Sequence, residues 1–140
     1  IIFYNGEERR SRAIAKKLTQ SLPIHNVQEL VQVITSCTPP KVRNRTIARV
    51  FQAFRIALNN ELGRLSEFLS NYIDFLEKGG KIVIISFHSL EDRLVKRNFK
   101  YFSKNGHLKI LTKKPIIASI EEVNANRRSK SAKLRCAEKI

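Results

Sequence analysis

Apolar residues return at every third or fourth position through the first half of the chain. Beyond residue 80 the pattern changes to short runs and alternation. The longest periodic stretch is Ile47, Phe51, Phe54, Leu58, Leu62, Leu65, Leu69, Tyr72 and Leu76. Such steps keep one face of a helix apolar, so the pattern predicts a single long helix, bent near Gly63, that links two structural layers. Upstream, Ile14 and Leu18 lie among basic residues and predict a helix over Glu7–Gln20, ended by Ser21-Leu22-Pro23. A second helix is predicted from an Asn26 cap to about Ser36, with Val27, Leu30, Val31 and Ile34 inward. Thr38-Pro39-Pro40 breaks the chain after it.

Gly79-Gly80 ends the periodic region, and Ile82 to Ile85 is an unbroken apolar run that reads as a buried strand reaching Phe87. Ser89 and Asp92 have the spacing of a capping box, so a helix is predicted to start there without a loop. Its inward set is Leu90, Leu94, Val95, Phe99 and Phe102, with Arg93, Lys96, Arg97, Lys100 and Lys104 outward. Leu108–Thr112 predicts a short strand, and Ser119 with Glu122 predicts a capped helical turn. Ala132, Leu134 and Cys136 alternate with Lys133 and Arg135, which predicts a final strand. The order is three helices, then strand, helix, strand, short helix and strand. This is an α/β chain resembling the second half of a doubly wound sheet, with the first half absent. An unpaired parallel edge and exposed apolar faces are expected to follow. In open α/β sheets ligands sit at the carboxyl ends of strands, which makes Ser86 to Asp92 the place to expect a site.

Charge adds a partner class. Lys and Arg number 27 against 12 Asp and Glu, a net charge of +15, which points to a polyanion such as nucleic acid. From Arg93 to Lys114 there are eight basic residues and no acid, and Lys41 to Arg55 holds five basic residues and no acid. A solvated helix face usually mixes signs, so these runs suggest phosphate contact. Phosphate contacts position a nucleic acid without reading its bases. No apolar run approaches a membrane span. Cys37 and Cys136 form no metal or disulfide spacing, which fits a reducing cytoplasm. The chain contains no Met and begins with Ile, which suggests a piece of a longer protein. Glycine-rich phosphate loops and zinc-protease motifs are absent. At the strand end, His88 reads either as a ligand contact or as a turn histidine, and Glu91 and Asp92 are accounted for by the positive helix end.

Four blocks carry a family resemblance. Gly6-Glu7-Glu8-Arg9 with Arg12-Ala13-Ile14-Ala15 is the first, and Arg49 to Leu62 the second. The third is Ile85-Ser86-Phe87-His88-Ser89-Leu90-Glu91-Asp92-Arg93-Leu94-Val95-Lys96, and the fourth Asn126 to Arg135. In this order they resemble the RsmH (MraW) family, bacterial enzymes that methylate the N4 amine of a cytidine in 16S ribosomal RNA. Thr46-Ile47-Ala48, Ala118 and Arg127 depart from its pattern. The resemblance implies a carboxyl-terminal fragment. Residues 1–62 would be a helical insertion for RNA recognition, and residues 63–140 the carboxyl half of a Rossmann-like class I methyltransferase sheet. It implies S-adenosyl-L-methionine as cofactor, held by a missing amino-terminal part, and no metal. The implied partner is small-subunit ribosomal RNA or the 30S subunit in the cytoplasm, with no membrane, and a homodimer is allowed for the full-length proteins. Ser86 and His88 become candidate catalytic residues. Arg49, Arg55, Arg93, Lys96, Arg97, Arg127, Arg128 and Lys133 become candidates for RNA contact. The competing reading is a basic RNA-binding fragment without catalysis, or a degenerate or split gene product.

Overall fold

The computed structural model describes residues 1–140, and the chain falls into two compact units, Ile1–Glu61 and Leu62–Ile140. No helix is long and apolar enough to cross a membrane.

The first unit is helical: α1 (Ile2–Gly6), α2 (Ser11–Gln20), α3 (Val27–Ser36) and α4 (Arg43–Asn59). The helix expected over Glu7–Gln20 starts later. Glu7 adopts a left-handed conformation (φ 48°) that ends α1, and α2 begins only at Ser11. The start of α3 follows its sequence signal. The Asn26 side chain accepts the Glu29 N–H at 2.9 Å, and Glu29 answers by accepting the Asn26 side-chain amide at 2.7 Å. Ile2, Ile14, Ile34 and Val50 form the core, one residue from each helix.

Gly6 is where α1 approaches α4 most closely. A β-carbon at Gly6 would lie 2.6 Å from the Arg49 carbonyl oxygen, inside van der Waals contact with backbone that cannot swing away. Gly6→Ala is expected to destabilise this unit by about 1–3 kcal/mol, the cost of overpacking a rigid contact. Hydrogen exchange of the α4 amides checks it, and unchanged protection would show that α1 is free to shift.

The single long helix expected through Leu76 is not formed. Asn60 takes φ 49° and ψ 42°, its N–H bonds to Ile56 O, and α5 (Glu61–Asn71) starts afresh. Asparagine tolerates this left-handed conformation better than other non-glycine residues, so the break falls there. Gly63, the expected bend, lies inside α5. The apolar stripe is also incomplete, since Leu58 is 85% exposed.

In the second unit, α5 leads through a 3₁₀ turn (Tyr72–Phe75) to β1 (Lys81–Ser86), α6 (Ser89–Lys104), β2 (Leu108–Ile110), β3 (Ile116–Ile117), α7 (Ile120–Ala125), a 3₁₀ turn (Arg127–Ser131) and β4 (Lys133–Lys139). The last strand is central: β4 pairs antiparallel with β1 on one side and with β2 and β3 on the other. The pairings of the sheet are thus all antiparallel. β1 and β2 run the same way, as a crossover through α6 requires, but β4 lies between them. The outer edge of β1 has no strand beside it.

Leu69, Tyr72, Val95, Phe99, Ile82, Leu108 and Ala137 build the core between α5, α6 and one face of the sheet. The Tyr72 hydroxyl donates to Asn98 Oδ1 at 3.0 Å, and Asn98 donates to Leu69 O at 2.6 Å. Burial pushes the Tyr72 phenol up to about 12. Lys139 reaches back from β4 and donates to Ile73 O and Leu76 O at 2.9 and 2.7 Å. The run Ile82–Ile85 is not buried as a whole. Ile82 faces the core, whereas Val83 and Ile85 are 55% and 54% exposed on the opposite face. A strand places successive side chains on opposite faces, so an all-apolar strand needs cover on both, and here only one face has it.

Candidate functional site

The carboxyl end of β1 turns into α6 through Phe87 and His88. The capping residue is His88, not Ser89. His88 Nδ1 accepts the Glu91 N–H at 3.3 Å, while Glu91 Oε2 accepts the N–H groups of Phe87 and His88 at 2.9 and 3.3 Å. Ser89 is the first helical residue. The other ring nitrogen, Nε2, lies 3.5 Å from Glu91 Oε1. Ser86 and His88 are buried on either side of the exposed Phe87. The structure thus brings these two candidates to one turn. It also gives the His88 ring a task in starting the helix.

Asp92 serves another purpose than capping. Arg135 Nε donates to Asp92 Oδ1 at 2.6 Å and Arg135 Nη2 to Oδ2 at 3.3 Å, a two-point grip. Lys133 Nζ lies 3.8 Å from the same carboxylate. Burial alone would raise the Asp92 carboxyl. The hydrogen bonds and charge of Arg135, with Lys133 and Lys96, outweigh it and hold the group below its ordinary value. β4 forms with the alternation expected, and this contact sets which side of it faces inward. Arg135 and Ala137 point to the helix side and are buried, while Leu134 and Cys136 belong to the open face. Sequence reasoning passed over Arg135. Its only signal was an acid, Asp92, placed early in the helix after β1 with a cation in the last strand.

The candidate RNA-contact residues of this unit are spread out. Arg93, Lys96 and Arg97 are exposed on α6, Arg127 and Arg128 on the turn before β4, and Lys133 beside Asp92. In the first unit, Arg55 is engaged by Glu61 at 2.8 and 3.3 Å. Arg49 Nη1 is 3.5 Å from Glu8 Oε2.

Arg49 belongs to a cluster that the sequence did not single out. A cavity of about 450 Å³ is lined by Arg9, Arg10, Arg45, Arg49 and Glu8. Glu8 is buried and also accepts the Arg10 N–H at 3.0 Å, which fixes the loop carrying Arg9 and Arg10. Arg45 and Arg49, four apart on α4, supply the other wall. Four arginines and one carboxylate line the cavity, so its excess positive charge suits an anion with several acceptor oxygens, such as phosphate. The available signal was the i, i+4 arginine pair together with Glu8-Arg9-Arg10.

Comparison with known proteins fits these features to a family. The model of the MraW methylase family matches residues 1–140. The ribosomal RNA small subunit methyltransferase H of Nostoc punctiforme is 51% identical over 143 residues, covering 100% of this chain and 47% of that protein. The protein of the same name from Trichodesmium erythraeum is 52% identical, with 99% of this chain and 50% of the relative covered. That of Synechocystis is 49% identical, with 99% and 46% covered. The chain spans about half the length of these relatives. It belongs to the MraW methylase family.

Proposed function

We propose that this chain is part of a cytoplasmic, S-adenosyl-L-methionine-dependent enzyme that methylates the N4 amine of a cytidine in small-subunit ribosomal RNA. The observation that carries the reading is the match of the whole chain, at about half identity, to proteins named ribosomal RNA small subunit methyltransferase H. In this reading residues 1–62 grip RNA and residues 63–140 are the carboxyl half of a Rossmann-like sheet. The bare edge of β1 and the exposed Val83, Ile85 and Phe87 support it, because they are what a sheet shows where neighbouring layers belong.

The residues present do not fit the cofactor. The chain leaves β1 through Phe87 and His88 with no glycine in the turn, and the groups there are engaged in capping α6. A nucleoside cofactor at a strand end needs a close, open backbone approach. S-adenosyl-L-methionine would be held by the length of the relatives that this chain does not span. What these residues supply is placement. A cytidine amine is a weak nucleophile because its lone pair is delocalised into the ring, so it must be held in line and its base taken out of any stack. Ser86 and His88, fixed at the turn by the His88–Glu91 cap, border that position in the proposal. Arg9, Arg10, Arg45 and Arg49 hold phosphates.

The test uses this sequence within a protein of the relatives' full length and measures methyl transfer to small-subunit RNA. His88→Ala removes the cap and the ring, and is expected to lower the rate about 100-fold, the scale of an ångström misplacement. His88→Asn keeps a capping side chain, which separates loss of helix start from loss of the imidazole. Wild-type rates for both His88→Ala and Ser86→Ala would overturn the placement.

A further inference from the structure

A cleft of about 610 Å³ opens between α6 and β2, outside the features described so far. Its helix wall carries Lys96, Phe99, Lys100 and Ser103, spaced three and four apart and so on one face. The strand wall carries Leu108 and Ile110, and Thr112 and Lys113 continue it. The floor is apolar, with Phe99 and Leu108 each 1% exposed. The side chains of the rim are cationic, Lys109 among them, and no Asp or Glu lines the cleft, although Ile140 with the chain's terminal carboxylate closes one side. Arg135, at the inner end, is already matched by Asp92. Lys96, Lys100 and Lys113 thus surround an apolar slot with charge that no acidic side chain in the cleft balances, and that exceeds the single terminal carboxylate at Ile140.

This combination selects an anion with a flat, weakly polar body. A small inorganic anion would leave the floor unused, and an uncharged apolar ligand would leave the lysines unanswered. The volume lies within the range of roughly 300–1,000 Å³ usual for small-ligand clefts. A nucleotide has both parts, and its base can enter only when unstacked, which duplex geometry prevents. We propose that the cleft between α6 and β2 takes one unstacked base of a single-stranded RNA segment. Phosphates of that segment lie on Lys96, Lys100 and Lys113. The inference rests on reading the chain as part of an RNA-modifying enzyme. It adds a holding site distinct from the turn at Ser86–His88 and from the arginine cavity.

The experiment measures binding of the 140-residue chain to a labelled single-stranded RNA of about ten nucleotides and to an abasic strand of the same length. The base-containing strand is expected to bind about tenfold tighter. Ser103→Trp, which fills the slot, should remove that preference and leave abasic binding unchanged. Lys100→Glu with Lys113→Glu should weaken both strands and make the salt dependence shallower by roughly 1.4, the share of two phosphates. Photocrosslinking of 4-thiouridine RNA to the unmutated chain needs no variant, and its adducts should map to residues 96–113. Absence of RNA binding, or adducts elsewhere with both variants at wild-type affinity, overturns the proposal. If binding is then lost on charge reversal of Arg9 and Arg45, the RNA reading stands and only the cleft assignment falls. Displacement of the cleft adduct by cytidine monophosphate as readily as by the RNA strand assigns the slot to free nucleotides, and likewise overturns it.

Discussion

Asp92→Ala is expected to cost about 3 kcal/mol of unfolding free energy, the lower end of the range for leaving a buried charge without its partner. Arg135 is 6% exposed and has its guanidinium on Asp92 at 2.6 Å. Without the carboxylate, a cation remains against Phe99 and the inner sheet face, with Lys133 nearby to repel it. Urea denaturation measures the loss. Replacing both members, Asp92→Leu with Arg135→Met, should recover most of it, because a well-packed apolar pair often matches a buried ion pair. The sign of the pH dependence follows from the same contact. Asp92 is held below its ordinary 3.8 in the folded chain, so its ionised form favours folding. That contribution is complete above 3.8 and is lost as pH falls through the lower folded value. Asp92→Asn should therefore flatten the acid limb of the stability profile. Equal acid limbs for the two proteins would show that the pair adds nothing to folding.

The second large effect concerns RNA. Arg9→Glu with Arg45→Glu is expected to weaken single-stranded RNA binding about 100-fold at low salt and to make the logarithmic salt dependence shallower by roughly 1.4. Both residues line the arginine cavity, and neither is the one paired with Glu8. The loop and the start of α2 should therefore stay folded. A uniform loss across RNA sequences marks phosphate contact, as guanidinium groups without base contacts would give. If affinity is unchanged while circular dichroism is retained, the cavity does not meet RNA.

Several elements were legible because a single residue decides them. Asn26 and Ser119 cap α3 and α7 as their spacing predicts, each accepting an N–H three residues on. Other features depend on partners that no local pattern names. His88 displaced Ser89 as the cap because its imidazole nitrogen reached the Glu91 N–H, a geometry decided by where β1 ends. Asn60 broke the long helix although Ile47 to Leu76 kept the helical period on both sides. The facing of β4 was not legible, because alternation fixes which residues share a side but not which side is inward. There the Asp92–Arg135 contact decided the matter. The candidacy of Ser86 and His88 rests on the family resemblance, since buried serine and histidine at a turn carry no reaction by themselves.

The central position of β4 also sets an order of events during synthesis. Of the four strands, β1 leaves the ribosome first, and its partner β4 is the last to appear. β2 and β3 follow, and neither is its neighbour in the sheet. Only when residues 133–139 have emerged can all four strands join, with Lys139 then closing on the carbonyls of Ile73 and Leu76. Until that moment Ile82–Ile85 lacks its β4 partner, and an apolar strand waiting for its neighbour is the kind of segment that chaperones commonly shield.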